Sequence, residues 1–188
     1  MVKLNIVIGG VGGQGVITMG KMLIRAVKPC YRAISSETHG LAQRGGGVNV
    51  HVRMGDVYAP LVPLGTADYV VGLEAIEGLR NIKYASSTSG IFIMNTKIQR
   101  PAIPKVSLPT IDDVIRLVKK YIKTVVVIDA EDLALKAGNL KAVNSVLVGT
   151  MLSVGKLRDF VDESVLLNSL NEVNRKAVYL GMDNYSVL

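Results

Sequence analysis

Apolar residues come in short bursts along this chain, and the spacing inside each burst assigns an element. Residues 3–8 (KLNIVI) form an apolar run of strand length, and 16–27 take up helical spacing directly after a glycine-rich turn. A second strand is expected at 31–35. The polar, glycine-ended stretch 36–47 is too irregular for a strand and reads as a loop. Residues 48–54 alternate apolar and polar with period two, the pattern of a half-buried strand, and a turn at 55–56 would return 57–59 as a short hairpin partner. Beyond the proline-punctuated loop 60–65, a buried strand is predicted at 67–73, a helix at 74–84 and a core strand at 91–95. The stretch 98–108, with Pro101, Pro104 and then Pro109, reads as extended chain along a sheet edge. Residues 110–123 predict an amphipathic helix capped by Thr110, with Asp112 and Asp113 in its first turn and Lys119, Lys120 and Lys123 in its last. The last clear strand is predicted at 125–129, followed by a short helix at 130–137 ended by Gly138. A helix at 144–157 carries Ser145, Gly149 and Ser153 at four-residue spacing, which lets another helix approach closely. Asp162 caps a final helix, 163–174, and an irregular tail follows.

Alternating strands and helices predict an α/β fold. The hairpin makes the sheet mixed, though mostly parallel, with helices on both faces in a three-layer α/β/α arrangement. No linker or repeat interrupts residues 1–188, which are expected to form one domain.

Composition narrows the chemistry. With 49% hydrophobic and 20% charged residues the chain is globular; with aromatics at 5% and no Trp, its core must be aliphatic. The one cysteine, Cys30, rules out a disulfide within the chain and any cysteine-ligated zinc or iron–sulfur site built by this chain alone. It suits a reducing compartment, and between Pro29 and Tyr31 it is expected to be a buried structural thiol. The apolar stretches 124–128 and 145–154 fall short of the ~20 residues of a bilayer span, so the expectation is a soluble, cytoplasmic protein with no membrane partner. Much of the net charge of +7 gathers at Lys97, Arg100, Lys105, Arg116, Lys119, Lys120 and Lys123. Such a patch suits an acidic protein or a phosphorylated cofactor. Nucleic acid is not expected, because no aromatic residues interleave to stack bases.

Two constellations carry chemistry. Strand, glycine turn and helix open a βαβ unit, and Gly10, Gly12 and Gly15 fit the dinucleotide spacing G-x-G-x-x-G. Glu37 lies ~20 residues on, where an acid would hold a ribose hydroxyl, so an NAD(P)-dependent oxidoreductase is one reading. Against it stand the crowding of Gly9, Gly10, Gly12, Gly13 and Gly15, the polar company of Glu37, and the hairpin expected where a second crossover should be. The other constellation, 36–47 (SETHGLAQRGGG), brings together an acid, a hydroxyl, an imidazole, an amide and a guanidinium. His39 is the one candidate catalytic residue, as a general base, yet no Ser or Cys nucleophile is paired with it. His39 and His51 would make two metal ligands without a third, so no metal site is predicted. Docking of a partner or an anion uses the same residues with fewer requirements.

Taken together, Gly10-Val11-Gly12-Gly13-Gln14-Gly15-Val16, then Glu37-Thr38-His39-Gly40-Leu41-Ala42-Gln43-Arg44-Gly45-Gly46, then Val50-His51-Val52-Arg53, resemble the gamma-type domains of 2-oxoacid:ferredoxin oxidoreductases. The wording ETHGLAQRGG is most similar to small (beta) subunits of the indolepyruvate branch. Ala67-Asp68, Asn95, Gly138-Asn139 and 144–149 extend the resemblance over nearly the whole chain. It implies a fold like domain III of pyruvate-ferredoxin oxidoreductase. It also implies a complex that oxidatively decarboxylates a 2-oxo acid with coenzyme A, yielding acyl-CoA and CO2 and reducing ferredoxin. Thiamine diphosphate, Mg and iron–sulfur clusters would lie in a large partner subunit and none in this chain; coenzyme A contact and self-association of the isolated chain are further implications. Carried over residue by residue, Gly12, Gly13, Gln14 and Gly15 form a glycine turn that could take a phosphate or a subunit contact. Glu37, Thr38, His39, Gln43 and Arg44 form the polar surface beside it, with Arg44 the expected anion or carboxylate contact.

Overall fold

The computed structural model describes residues 2–39, 45–100 and 106–188. β1 (Lys3–Val11), β4 (Tyr69–Gly72), β5 (Ile91–Asn95) and β6 (Thr124–Ile128) run parallel at the centre of one sheet. β2 (Arg32–His39) and β3 (Gly47–Gly55) flank it on one side, and β7 (Ser186–Val187) on the other, in the order β2-β3-β1-β4-β5-β6-β7. β3 pairs antiparallel with both β1 and β2, and β7 antiparallel with β6, so the sheet is mixed as expected.

The alternation seen in the strands builds two apolar layers. Leu4, Ile6, Ile8, Val71, Ile93 and Val126 face one way and pack with α1 (Val16–Arg25), α4 (Ala130–Ala137), α5 (Val143–Ser153) and α8 (Glu172–Asp183). Val7, Val70, Phe92, Met94 and Val125 face the other way, against α2 (Ala75–Arg80) and α3 (Ile111–Val118). α6 (Leu157–Phe160) and α7 (Glu163–Asn168) complete the first layer. The three-layer arrangement is borne out. Each large aliphatic side chain so buried contributes ~1.5–3 kcal/mol, and Tyr69, Phe92 and Phe160 are the aromatics buried among them.

α5 is buried from Asn144 to Leu152 because it lies between the sheet and α8. Gly149 and Gly181 make that crossing fit: a Cβ on Gly149 would strike the Val178 backbone, and one on Gly181 the Val146 backbone. Thr150 Oγ1 donates to Gly181 O at 2.9 Å and Ser153 Oγ to Met182 O at 3.0 Å, so the small-residue side of α5 meets a helix, as its spacing predicts.

Several expectations are corrected. β2 runs through Glu37, Thr38 and His39, which pair with Val50, Asn49 and Val48; these residues are strand, not loop. An edge strand wetted on its free side needs no apolar alternation, which hid it. Residues 57–59 form no hairpin strand. Gly55 (φ 93°) turns the chain away, and Arg53 captures it by donating to Ala59 O (2.7 Å) and Leu61 O (3.3 Å). The helix expected at 74–84 divides into α2 and a 3-10 turn, Ile82–Tyr84, while that at 110–123 ends at Val118. Asp162 caps only the short α7. A separate helix, α8, starts from Asn171 and carries the tail to Asp183 before β7. The sheet edge falls to β7 rather than to 98–108, of which 101–105 lie outside the described residues. Cys30 is exposed, in the turn between α1 and β2, and not a buried thiol.

Candidate functional site

β1 carries Gly9, Gly10 and Val11 within the strand and then turns sharply. Gly13 (φ 103°) and Gly15 (φ 85°) supply the left-handed conformations the turn needs. The side chain of Gln14 folds back, and its Oε1 accepts from Val11 N–H at 2.8 Å. Gly12 N–H donates to Gly46 O at 2.9 Å, tying the turn to the start of β3. The glycine turn and the far end of the polar stretch are therefore one structural unit.

Glu37 sits on β2 at the rim of a cavity of about 470 Å³, lined also by Gly12, Gly13, Gly15, Thr18 and Val48. Of the residues singled out in the sequence, Gly12, Gly13, Gly15 and Glu37 thus come together, and Gln14 belongs to the same turn. Thr38 is exposed further along β2, and His39 ends that strand opposite Val48. Gln43 and Arg44 lie outside the described residues. The dinucleotide arrangement is altered, because β3 is inserted between β1 and β2. Glu37 therefore does not stand on a strand adjoining β1, as that motif requires.

A second, larger crevice of about 810 Å³ opens on the other side of the turn. It lies beyond the carboxyl ends of β1, β4 and β5, where α1 leaves β1 toward one face and α2 follows β4 on the other. That reversal is where open α/β sheets place ligands. Gly13, Gln14, Gly15 and Thr18 line one wall, Val143, Asn144 and Ser145 the opposite one, with Arg25 and Lys141 among the lining. The floor is stitched by Asn95, whose Nδ2 donates to Leu73 O (3.0 Å) and whose Oδ1 accepts from Ala130 N–H (3.0 Å). Lys97, part of the basic run in the sequence, is paired with Glu131 at 2.8 Å, and Arg116 with Asp113 at 3.5 Å. Two of the seven cations in that run are therefore already paired.

Behind β3, on the opposite face, sits a polar cluster. Arg53 Nε donates to Asn5 Oδ1 at 2.9 Å, and Asn81 Nδ2 to Asn49 Oδ1 at 2.7 Å. His51 Nδ1 accepts from Val62 N–H at 3.1 Å, and burial lowers the pKa of this imidazole. An acceptor nitrogen in contact with backbone is not poised as a metal ligand. Glu77, close against Gly47, has its carboxyl pKa raised, first by burial and then by Glu74, with Arg80 at 3.1 Å opposing.

In the sequence Asn144 stands out only as the start of 144–149, one of the stretches that carry the resemblance. The structure puts it in the first turn of α5, directly after the 3-10 turn Leu140–Ala142, whose first amides Asn139 caps through Lys141 N–H.

Over residues 5–184 the chain matches the family described as pyruvate ferredoxin/flavodoxin oxidoreductase. It is 36% identical over 188 residues to indolepyruvate oxidoreductase subunit IorB of Archaeoglobus fulgidus, covering 95% of this chain and 94% of that protein. To the subunit of the same name in Thermococcus kodakarensis it is 35% identical, covering 97% and 96%. The crystal structure of pyruvate oxidoreductase subunit PORC of Thermotoga maritima shares the fold, with a TM-score of 0.73 at 19% identity, covering 100% of this chain and 99% of that one.

Proposed function

The chain belongs to the pyruvate ferredoxin/flavodoxin oxidoreductase family, and from that premise we propose that it is the non-redox small subunit of an indolepyruvate-type 2-oxoacid:ferredoxin oxidoreductase. The near full-length identity to IorB subunits carries this reading. The complex oxidatively decarboxylates an aryl pyruvate with coenzyme A to acyl-CoA and CO2 and passes the electrons to ferredoxin.

The donor set of this chain does not fit the redox groups. Its one cysteine cannot ligate a cluster, and among the described residues no group of three or more His, Cys, Asp or Glu is placed to hold a metal ion. In this reading the clusters and Mg-bound thiamine diphosphate belong to the large partner. The small subunit, residues 1–188 as one domain, supports that partner's active site. In this reading Gly12 to Gly15, Glu37, Thr38, His39, Gln43 and Arg44 contact the partner or coenzyme A. Among the described residues no helix is long and apolar enough to cross a membrane. A reducing cytoplasm suits the exposed thiol of Cys30.

The test is reconstitution. The purified chain is mixed with its iron–sulfur partner, and reduction of ferredoxin is followed with indolepyruvate and coenzyme A. Activity is expected only from the mixture. An isolated chain that binds NADH saturably, or a partner fully active without it, overturns the reading.

A further inference from the structure

We infer that the pinned loop after β3, residues 57–65, is a docking surface for the large partner subunit, and that the partner meets it with an apolar surface rimmed by acids. The inference rests on the functional reading above, which supplies that partner. It adds a contact surface at the opposite end of the sheet from the glycine turn. The loop leaves β3 at Gly55, which pairs with Lys3 at the start of β1, whereas the turn follows Val11 at the end of that nine-residue strand, roughly 25 Å away.

From Tyr58 to Gly65 every residue but Val62 is exposed, and none carries a charge. Tyr58 is 81% exposed, Leu61 54% and Leu64 65%. Among the described residues no other seven-residue stretch exposes three large apolar side chains. Single apolar residues on a surface are ordinary, but a group of them marks an interaction site. The segment is also held in shape. Arg53 donates to Ala59 O and Leu61 O, His51 Nδ1 accepts from Val62 N–H, Thr66 Oγ1 donates to Pro63 O at 2.9 Å, and Gly65 N–H donates to Lys83 O at 3.1 Å. Of the side chains so positioned, Val62 enters the core, while Tyr58, Leu61 and Leu64 stay outside it. Pro60 and Pro63 remove further backbone freedom. A loop ordered before it binds loses little conformational entropy on docking.

Charge selects the occupant. At the Tyr58 end, the Arg32 guanidinium stands over the Tyr58 ring, 4.7 Å from its centroid. At the Leu64 end, Lys83 is tied to Gly65 through its carbonyl and holds its ammonium 5.4 Å from the centre of the Tyr84 ring. Among the described residues neither cation makes an ion pair. The acid beside the loop, Asp56, accepts from Val2 N–H at 3.2 Å. The surface is thus an apolar centre between two cations. A second copy of this chain would bring a cationic rim against its like, which opposes docking; a partner with carboxylates around an apolar hollow complements it. Tyr and Arg, the pair stacked at one end, are residue types concentrated in interface hot spots.

The test immobilises the purified iron–sulfur partner and measures the affinity and association rate of the full chain at low and raised salt. The parent is expected to bind. Leu61→Ser/Leu64→Ser should weaken binding on the order of thirtyfold, and Tyr58→Ala, which serves should the double variant fold poorly, about tenfold. Melting temperatures should stay close to the parent's, because the altered side chains are exposed. Val165→Ser/Tyr179→Ser, on α7 and α8 and 48% and 47% exposed, is the matched control and should bind like the parent. Arg32→Glu should slow association and lessen its dependence on salt. Parent-like binding by both loop variants overturns the proposal, as does an equal loss in the control or faster association of Arg32→Glu. A parent that dimerises in sedimentation through the same leucines, while the leucine variant binds the partner unchanged, also overturns it. If the loop variants bind like the parent and the mixture reduces ferredoxin, the surface is wrong and the subunit assignment stands. If the parent neither binds nor restores activity, the assignment falls and the docking surface with it.

Discussion

The two polar regions flanking β1 differ in one respect. Behind β3, Arg53, Asn5, His51, Asn49 and Asn81 are closed on one another and on backbone carbonyls and amides. The α1/α5 crevice, lined by Gly13, Gln14 and Gly15 on one wall and Val143, Asn144 and Ser145 on the other, is open. A closed network holds a loop in place; an open crevice leaves its lining accessible. Buried polar residues are found in both regions, so burial alone does not separate structure from function here. Access to open space does.

The strongest way to break that contrast is to open the closed side. Arg53 reaches Asn5 and the carbonyls of Ala59 and Leu61, pinning 57–65 with Val62 inserted in the second core layer. Arg53→Met should cost about 3 kcal/mol in urea unfolding, since three acceptors lose a charged donor and only some regain water. A variant as stable as the parent would remove the distinction between the two regions.

What could be read in advance follows the same division between local and distant causes. β5 and α4 match their predicted spans, 91–95 and 130–137, because an apolar run between turns and a helix closed by Gly138 are local signals. The pairing of Ser145, Gly149 and Ser153 with a helix was likewise written in their spacing. The strand character of Glu37, Thr38 and His39 was not, since it depends on pairing with β3 and not on their own polarity. Nor was the path of 57–65, decided by Arg53 and His51 reaching across the sheet. The glycine turn was visible as a motif, but Asn144, which completes the crevice, reaches it only through the fold.

On the open side, Gly13 and Gly15 form a matched pair. Both are left-handed, so alanine at either carries a backbone cost of ~1–2 kcal/mol. They differ in surroundings: a Cβ on Gly13 meets nothing within 4 Å, while one on Gly15 lies 2.9 Å from Asn144 Nδ2. Gly15→Ala should therefore be less stable than Gly13→Ala by up to about 1 kcal/mol in the same urea assay, the increment of forcing Asn144 aside. Equal losses at both positions would mean that the turn, and not the Asn144 contact, governs the crevice.

The smallest effect expected concerns pH and returns to the closed side. Burial lowers the pKa of His51 from its ordinary 6.5, and its Nδ1 already accepts from Val62 N–H. Protonation would set two donors face to face. The sign follows from which state takes the proton first: the unfolded chain protonates near 6.5 and the folded chain at lower pH. The stability due to neutral His51 is thus fully present above pH 6.5 and lost as pH falls through the folded value. The chain has two histidines, so the assignment needs both variants. His39→Asn should keep the decline below pH 6.5, whereas His51→Asn, whose carbonyl can still accept from Val62, should flatten it. A slope that survives in His51→Asn and vanishes in His39→Asn would place the titrating group beside the glycine turn, and the closed network would then contribute nothing to the pH response.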